Sequence, residues 1–165
     1  MADDEPLLCH IEIPKGSRNK YEWDEDIGAI KLDRFLYSSV VYPTDYGYIP
    51  ETLGEDGDEL DALVCVSEPT FPGCVIESKP IALFKMADEK GVDDKILCVP
   101  VSDPAWNTLE KLDDLPQQLT DEIMHFFSIY KDLEQKNTEV RGWFSREDAE
   151  AEIEEARRRY RDGRG

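Results

Sequence analysis

The apolar residues of this chain change period once, and that change constrains the fold class more than any other feature. As far as Val101 they come in strand-length runs separated by clusters of Pro, Gly and acidic residues. Leu7–Ile13 alternates loosely and reads as a strand that Pro14 ends. Gly28–Leu32 and Ser39–Tyr42 read as short strands, with Asp33-Arg34-Phe35 between them. Tyr42–Pro50 packs three tyrosines between Pro and Gly and reads as a turn. Ala62–Val66, Val75–Met86 and Ile96–Val101 read as further strands, and Pro80 must lie at an edge or a bulge. Thereafter the spacing becomes helical. Leu119, Ile123, Phe126, Tyr130 and Leu133 recur at four, three, four and three. Asp113 or Asp114 is a candidate cap, with Pro116 near the first helical position. His125 falls at the margin of this helix. A second helix starts at Ser145, which has capping-box spacing to Asp148, and carries the stripe Ala149, Ile153, Ala156 and Tyr160. Arg157-Arg158-Arg159 stands near its C-terminal end, where cations suit the helix dipole. Short strands followed by two helices imply an α+β domain, built on a small antiparallel sheet or barrel and spanning 1–165 as one unit.

Two acidic turns open onto these strands. In Gly54–Ala62, Asp56, Asp58 and Asp61 fall within six residues, with Gly57 between the first two. Asp56 and Asp58 are two apart, so an extended backbone points both to one face. The run leads straight into Leu63-Val-Cys-Val66. Carboxylates this close repel one another unless a positive charge sits among them, and hard, oxygen-seeking cations such as Mg²⁺ meet that need. The spacing is not that of an EF-hand loop. Asp88–Lys95 repeats the pattern and adds Lys95, so the two turns suggest one shared cation site. Glu12, between Ile11 and Ile13, faces away from the core if those two face into it.

The formal net charge is −19, from 38 acids and 19 bases, which disfavours nucleic acid as a partner. An anionic substrate must therefore arrive with metal or meet a local basic patch, and Lys15–Glu22 is one of the few basic stretches. No run of eighteen apolar residues is present, so no membrane partner is expected, and Met-Ala-Asp-Asp-Glu is not the start of a signal peptide. The four cysteines, Cys9, Cys65, Cys74 and Cys98, lie among apolar residues with no Cys-x-x-Cys pair. They read as reduced core thiols, which fits a cytoplasmic protein.

Asp56-Gly-Asp-Glu-Leu-Asp-Ala62 resembles the signature of the soluble family I inorganic pyrophosphatases. Ile11–Pro14, Asn19–Glu22, Leu32–Arg34, Tyr42-Pro-x-x-Tyr-Gly-Tyr48, Lys85–Glu89 with Asp93-x-Lys95, and His125–Glu134 are similar to family motifs, in the family's order. The length resembles that of the short prokaryotic members. Glu59 stands where many members have proline, and beyond Glu134 the likeness fades. The resemblance implies a five-stranded OB-like β-barrel flanked by two main helices, and Mg²⁺-dependent hydrolysis of pyrophosphate to two orthophosphates by a metal-bound water. It implies that Asp56, Asp61 and Asp93 ligate metal, and that Asp88 and Glu12 join them around the substrate. Asp58 matches the general base, a role some accounts give to Asp93. Lys20, Arg34, Tyr46, Lys95, Tyr130 and Lys131 match groups that hold the phosphates, and Glu22 and Tyr42 match supporting positions. Further implications are several Mg²⁺ per site, Mn²⁺ or Zn²⁺ as substitutes, Ca²⁺ as inhibitor, substrate bound as its magnesium complex, a homohexamer, and a role in driving pyrophosphate-releasing biosynthesis forward.

Overall fold

A computed structural model describes residues 5–164, so the acidic start read at residues 1–4 lies outside the described residues. Nine strands are present among the described residues: β1 Leu7–Ile13, β2 Asn19–Asp24, β3 Ala29–Phe35, β4 Asp45–Ile49, β5 Leu60–Val64, β6 Val75–Asp88, β7 Gly91–Val92, β8 Lys95–Pro100 and β9 Glu139–Phe144. The helices are α1 Gln117–Ile129 and α2 Arg146–Arg164. β1, β4, β5, β8 and β6 pair in that order, and β6 pairs back to β1, closing a ring of five strands as an OB-like barrel requires. β6 is long enough to hold β1 with its first half and β9 with its second. β2 and β3 form a separate two-stranded hairpin.

β5 and β8 are buried on both faces, which is why they read as unbroken apolar runs. Ala62, Val64, Ile96 and Cys98 pack with Ala149, Ile153 and Ala156 of α2. Leu63, Leu97 and Phe84 pack on the opposite side with Ile123, Phe126 and Phe127 of α1. Gly47 in β4 lies so close to β1 that a Cβ there would stand 1.8 Å from the His10 carbonyl oxygen. β1 slips register between Ile11 and Ile13, leaving Glu12 as an extra residue, a β-bulge beside the close approach.

Several expectations need correction. The sheet is not wholly antiparallel, because β5 and β8 run parallel. Ser39–Tyr42 forms no strand. Asp33-Arg34-Phe35 belongs to β3, and the tyrosine-rich turn contains β4. β2 arises from the basic stretch, and β9 was not foreseen. Pro80 does sit at a bulge, but inside central β6, which shifts register between Pro80 and Ala82. No side chain caps α1; the Asp114 carboxylate accepts instead from the Glu110 and Lys111 backbone N–H groups. α1 ends at Ile129, so Leu133 leaves the stripe and is exposed.

Other expectations hold. Ser145 and Asp148 form the reciprocal box, at 3.1 and 3.3 Å. Arg157, Arg158 and Arg159 pair with Glu154, Glu155 and Glu152 on their own helix. His125 is exposed. All four cysteines are free, and Cys9, Cys65 and Cys98 are buried, while Cys74 is half-buried. No described helix is long and apolar enough to cross a membrane.

Candidate active site

The parallel pairing of β5 and β8 creates the centre of the site. It sets Asp61 opposite Lys95, and the period of two puts Asp93 on the same face as Lys95. The Lys95 Nζ donates to Asp61 Oδ2 at 2.8 Å, to Asp93 Oδ2 at 3.1 Å and to the Tyr46 hydroxyl at 2.8 Å. Tyr46 in turn donates to Asp61 at 2.8 Å. The Lys95 side chain is 1 % exposed and rests against the Tyr46 and Phe127 rings, with Nζ 5.1 and 5.0 Å from their centroids. Two carboxylates share one ammonium, so one of them is short of compensating charge. Burial pushes Asp93 up to about 7, with Lys95 opposing and Asp61 adding to the rise. Burial disfavours the charge on Lys95, yet Asp61 and Asp93 more than offset it and hold the ammonium well above its usual range.

A cavity of about 730 Å³ opens in front of this centre. Both acidic turns reach it: Asp56 and Asp58 from the first, Asp88 and Asp93 from the second. Asp56 accepts from the Asp58 N–H at 3.1 Å and is raised by burial. Asp58 is exposed at the loop tip, 3.7 Å from Lys90. Asp88 lies 3.2 Å from the Lys131 Nζ, which follows α1. Burial would raise Asp88, but the Lys90 N–H and Lys131 outweigh it and lower the carboxyl. Glu12 enters from the β1 bulge and accepts from the Trp23 N–H at 2.8 Å. Burial drives it up to about 7 despite that bond.

The hairpin supplies the facing wall. Lys20 and Arg34 are cross-strand partners, so their side chains share a face. Lys20 Nζ lies 3.3 Å from Asp33 and 3.7 Å from Glu22, and Arg34 also pairs with Asp33. The Arg34 Nε stands 2.8 Å from Glu134 Oε1. Tyr130 and Lys131 complete the wall.

The cavity thus gathers Glu12, Lys20, Glu22, Arg34, Tyr46, Asp56, Asp58, Asp61, Asp88, Asp93, Tyr130 and Lys131. Lys95 is placed one layer behind, under Asp61 and Asp93. Tyr42, 2 % exposed, is packed on the Tyr46 and Phe126 rings and supports the site from beneath. Asp33, Glu89, Lys90 and Glu134 were not anticipated. Asp33 and Glu134 lie within two motifs quoted above, but nothing in their spacing shows that they hold arginine. The donor set, seven carboxylates among the residues gathered above, fits hard divalent cations. Among the described residues no three of them converge closely enough to cage an ion; an ammonium already bridges Asp61 and Asp93. The arrangement can bind a polyanion between cations and carboxylates, and can take up a proton near neutral pH.

Comparison with known proteins bears on this geometry. Residues 9–161 match the family model described as inorganic pyrophosphatase. The chain is 57 % identical over 150 residues to a protein named inorganic pyrophosphatase from Methanosarcina acetivorans, covering 91 % of this chain and 89 % of that one. A namesake from Streptomyces coelicolor is 54 % identical over 156 residues, covering 94 % and 96 %. The crystal structure of inorganic pyrophosphatase from Thermus thermophilus superposes with a TM-score of 0.93 at 43 % identity, covering 98 % of this chain and 94 % of that one.

Proposed function

This chain belongs to the inorganic pyrophosphatase family and hydrolyses pyrophosphate, and we propose that it does so with Mg²⁺, in the cavity between the ring and the hairpin. The observation that carries this reading is the meeting of carboxylates from two acidic turns with Lys20, Arg34 and Lys131 from three other segments, in one cavity. Asp56, Asp61 and Asp93 would hold the metal, with Asp88 and Glu12 nearer the substrate. When bound, Mg²⁺ neutralises pyrophosphate charge, clamps its oxygens and acidifies water.

The chain's own groups do the rest. Lys20, Arg34, Tyr130 and Lys131 orient the two phosphoryl groups. Tyr46 and Lys95 hold Asp61 and Asp93 side by side from behind, and the ammonium offsets part of their repulsion. Asp58, exposed at the loop tip, takes the proton from the attacking water as its oxygen bonds to one phosphorus and the bridging P–O bond breaks. Lys and Arg stabilise the charge that collects on the leaving phosphate. Mn²⁺ or Zn²⁺ can replace Mg²⁺, whereas the looser shell of Ca²⁺ makes it an inhibitor.

The substrate is bound as its magnesium complex, which reconciles an anionic substrate with a chain of net charge −19. Removing pyrophosphate drives the reactions that release it, and four free thiols suit a cytoplasmic setting. The protein acts without nucleic acid or membrane. A homohexamer is supported by Leu8, Phe71 and Val75, which are 44 %, 63 % and 48 % exposed. Trp106 lends no such support, because it packs on the core and donates to Ser67. The test is phosphate release from pyrophosphate with Mg²⁺ and with EDTA. Full activity in metal-free buffer overturns the mechanism, and a monomer mass by light scattering overturns the hexamer.

A further inference from the structure

We infer that Glu134 is a positioning residue for Arg34, gripping one edge of the guanidinium so that the other is presented to the phosphate in the cavity. This rests on the reading above, in which Arg34 binds substrate. Glu134 lies in the turn Asp132–Glu134, immediately after Lys131. Four consecutive residues thus deliver one cation to the cavity wall and a carboxylate to the back of another. The Glu134 side chain is 5 % exposed and that of Arg34 is 22 % exposed. Oε1 stands 2.8 Å from Nε, as an ion pair without hydrogen-bond alignment, and Oε2 is buried with no hydrogen-bond partner among the described residues. A carboxylate so buried and half-satisfied contributes little to stability, so stability alone does not account for it.

The rest of the guanidinium points to the same role. Nη1 lies on Asp33, and among the described residues no group bonds Nη2. Asp33 sits on the same strand, exposed and shared with Lys20. Asp33 itself lines the cavity, so it holds Nη1 on the cavity side. Glu134 comes from a different segment, the turn after α1, and meets Nε from outside the cavity lining. Burial works against the charge on Arg34, but Glu134 and then Asp33 more than offset it, so its pKa is raised. The backbone behind Glu134 is also constrained. Gln135 has φ +58°, the left-handed region that non-glycine residues seldom adopt. It returns its N–H to the Asp132 carbonyl at 3.1 Å, which tightens the turn that aims Glu134 inward.

The experiment is a double-mutant cycle on the full-length protein, using Glu134→Gln, Arg34→Ala and the pair. Glu134→Gln keeps shape and removes charge. It should raise KM for magnesium pyrophosphate about tenfold, as the ion pair that orients Arg34 is lost, with kcat changed less than about threefold. In the Arg34→Ala background it should add nothing. Calorimetric binding of inorganic phosphate with Mg²⁺ should show the same non-additivity. An equal loss in both backgrounds, or a lower Tm with KM unchanged, overturns the inference. Glu134→Asp, too short to reach Nε, should raise KM like Gln; full retention of KM by Asp also overturns it. If the unmodified protein fails to hydrolyse pyrophosphate, the functional reading falls instead, and the phosphate-binding cycle decides the role of Glu134 alone.

Discussion

The ring and the hairpin each present a lysine flanked by two carboxylates, and the two behave oppositely. In the ring, Lys95 meets Asp61 and Asp93 at 2.8 and 3.1 Å, with its side chain 1 % exposed. On the hairpin, Lys20 meets Asp33 and Glu22 at 3.3 and 3.7 Å, with its side chain 24 % exposed. Low dielectric and rigid strands make the first trio one electrostatic unit, whose members set each other's protonation. Water screens the second, whose charges remain free to turn toward a ligand. The difference teaches that one lysine between two carboxylates can serve as a foundation or as a grip. Burial decides which.

The largest expected effect falls on the acidic loop attached to the ring. Asp58→Asn should slow turnover by about a hundred- to ten-thousand-fold, the usual worth of a positioned base, and the deficit should shrink as pH rises. Asp61→Asn should instead demand much more Mg²⁺ for whatever activity is left. A Mg²⁺ titration of initial rate at two pH values checks both. Rescue of Asp58→Asn by magnesium and not by alkali would make Asp58 a ligand and Asp93 the base.

Next comes stability, where the two lysines can be set directly against each other. Lys95→Ala leaves Asp61 and Asp93 facing each other on the cavity floor with no cation beneath them. It should lower the unfolding free energy in metal-free buffer by about 3–5 kcal/mol. Lys20→Ala should cost less than about 1 kcal/mol. Urea melts of both variants measure this, and equal losses would erase the distinction.

Protonation supplies a smaller, sharper probe. The folded values of Glu12 and Asp93, each about 7, lie above their ordinary 4.5 and 3.8. The folded metal-free protein therefore binds more protons than the unfolded chain, and its stability should fall as pH rises from about 4 to about 7, then level off. Mg²⁺ must displace those protons. Calorimetry at pH 6 in buffers of different ionisation enthalpy should register one to two protons released per site, and fewer at pH 8. No release at pH 6 would mean that neither carboxyl is raised.

The smallest effect is one of screening. With a net charge of −19, the surface repels itself, and Tm should rise by a few degrees from low to molar KCl at fixed Mg²⁺. A flat or falling Tm would show that the acidic surface is not adapted to salt.

Legibility in the sequence follows burial too. β1 was readable to the residue because its alternation faces a core. β2, Asn-Lys-Tyr-Glu-Trp-Asp, carries no such pattern because it pairs only with β3 and stays mostly outside the core. β4 looked like a turn because Gly47 and the flanking prolines are turn residues. Here the glycine instead serves the close approach of β1. The parallel partnership of Asp61 with Lys95 left no local trace, since register between distant strands is a tertiary fact. The carboxylates and cations of the cavity were legible through their motifs. The groups behind them, Glu134 above all, were not, because a residue that acts through another carries no signature of its own.

The parallel pair of β5 and β8 has a consequence in time. Lys95 and Asp61 lie 34 residues apart, and the chain between them must run out along β6 and return before they meet. Closing so long a loop precedes any reward from the contact, so the ion pair forms late in folding. On the ribosome the first acidic turn emerges with its aspartates exposed and mutually repelling. Its compensating lysine follows only with the second turn. The centre of the site is therefore assembled by the event that sets β8 beside β5, and a chain lacking that pairing lacks the site.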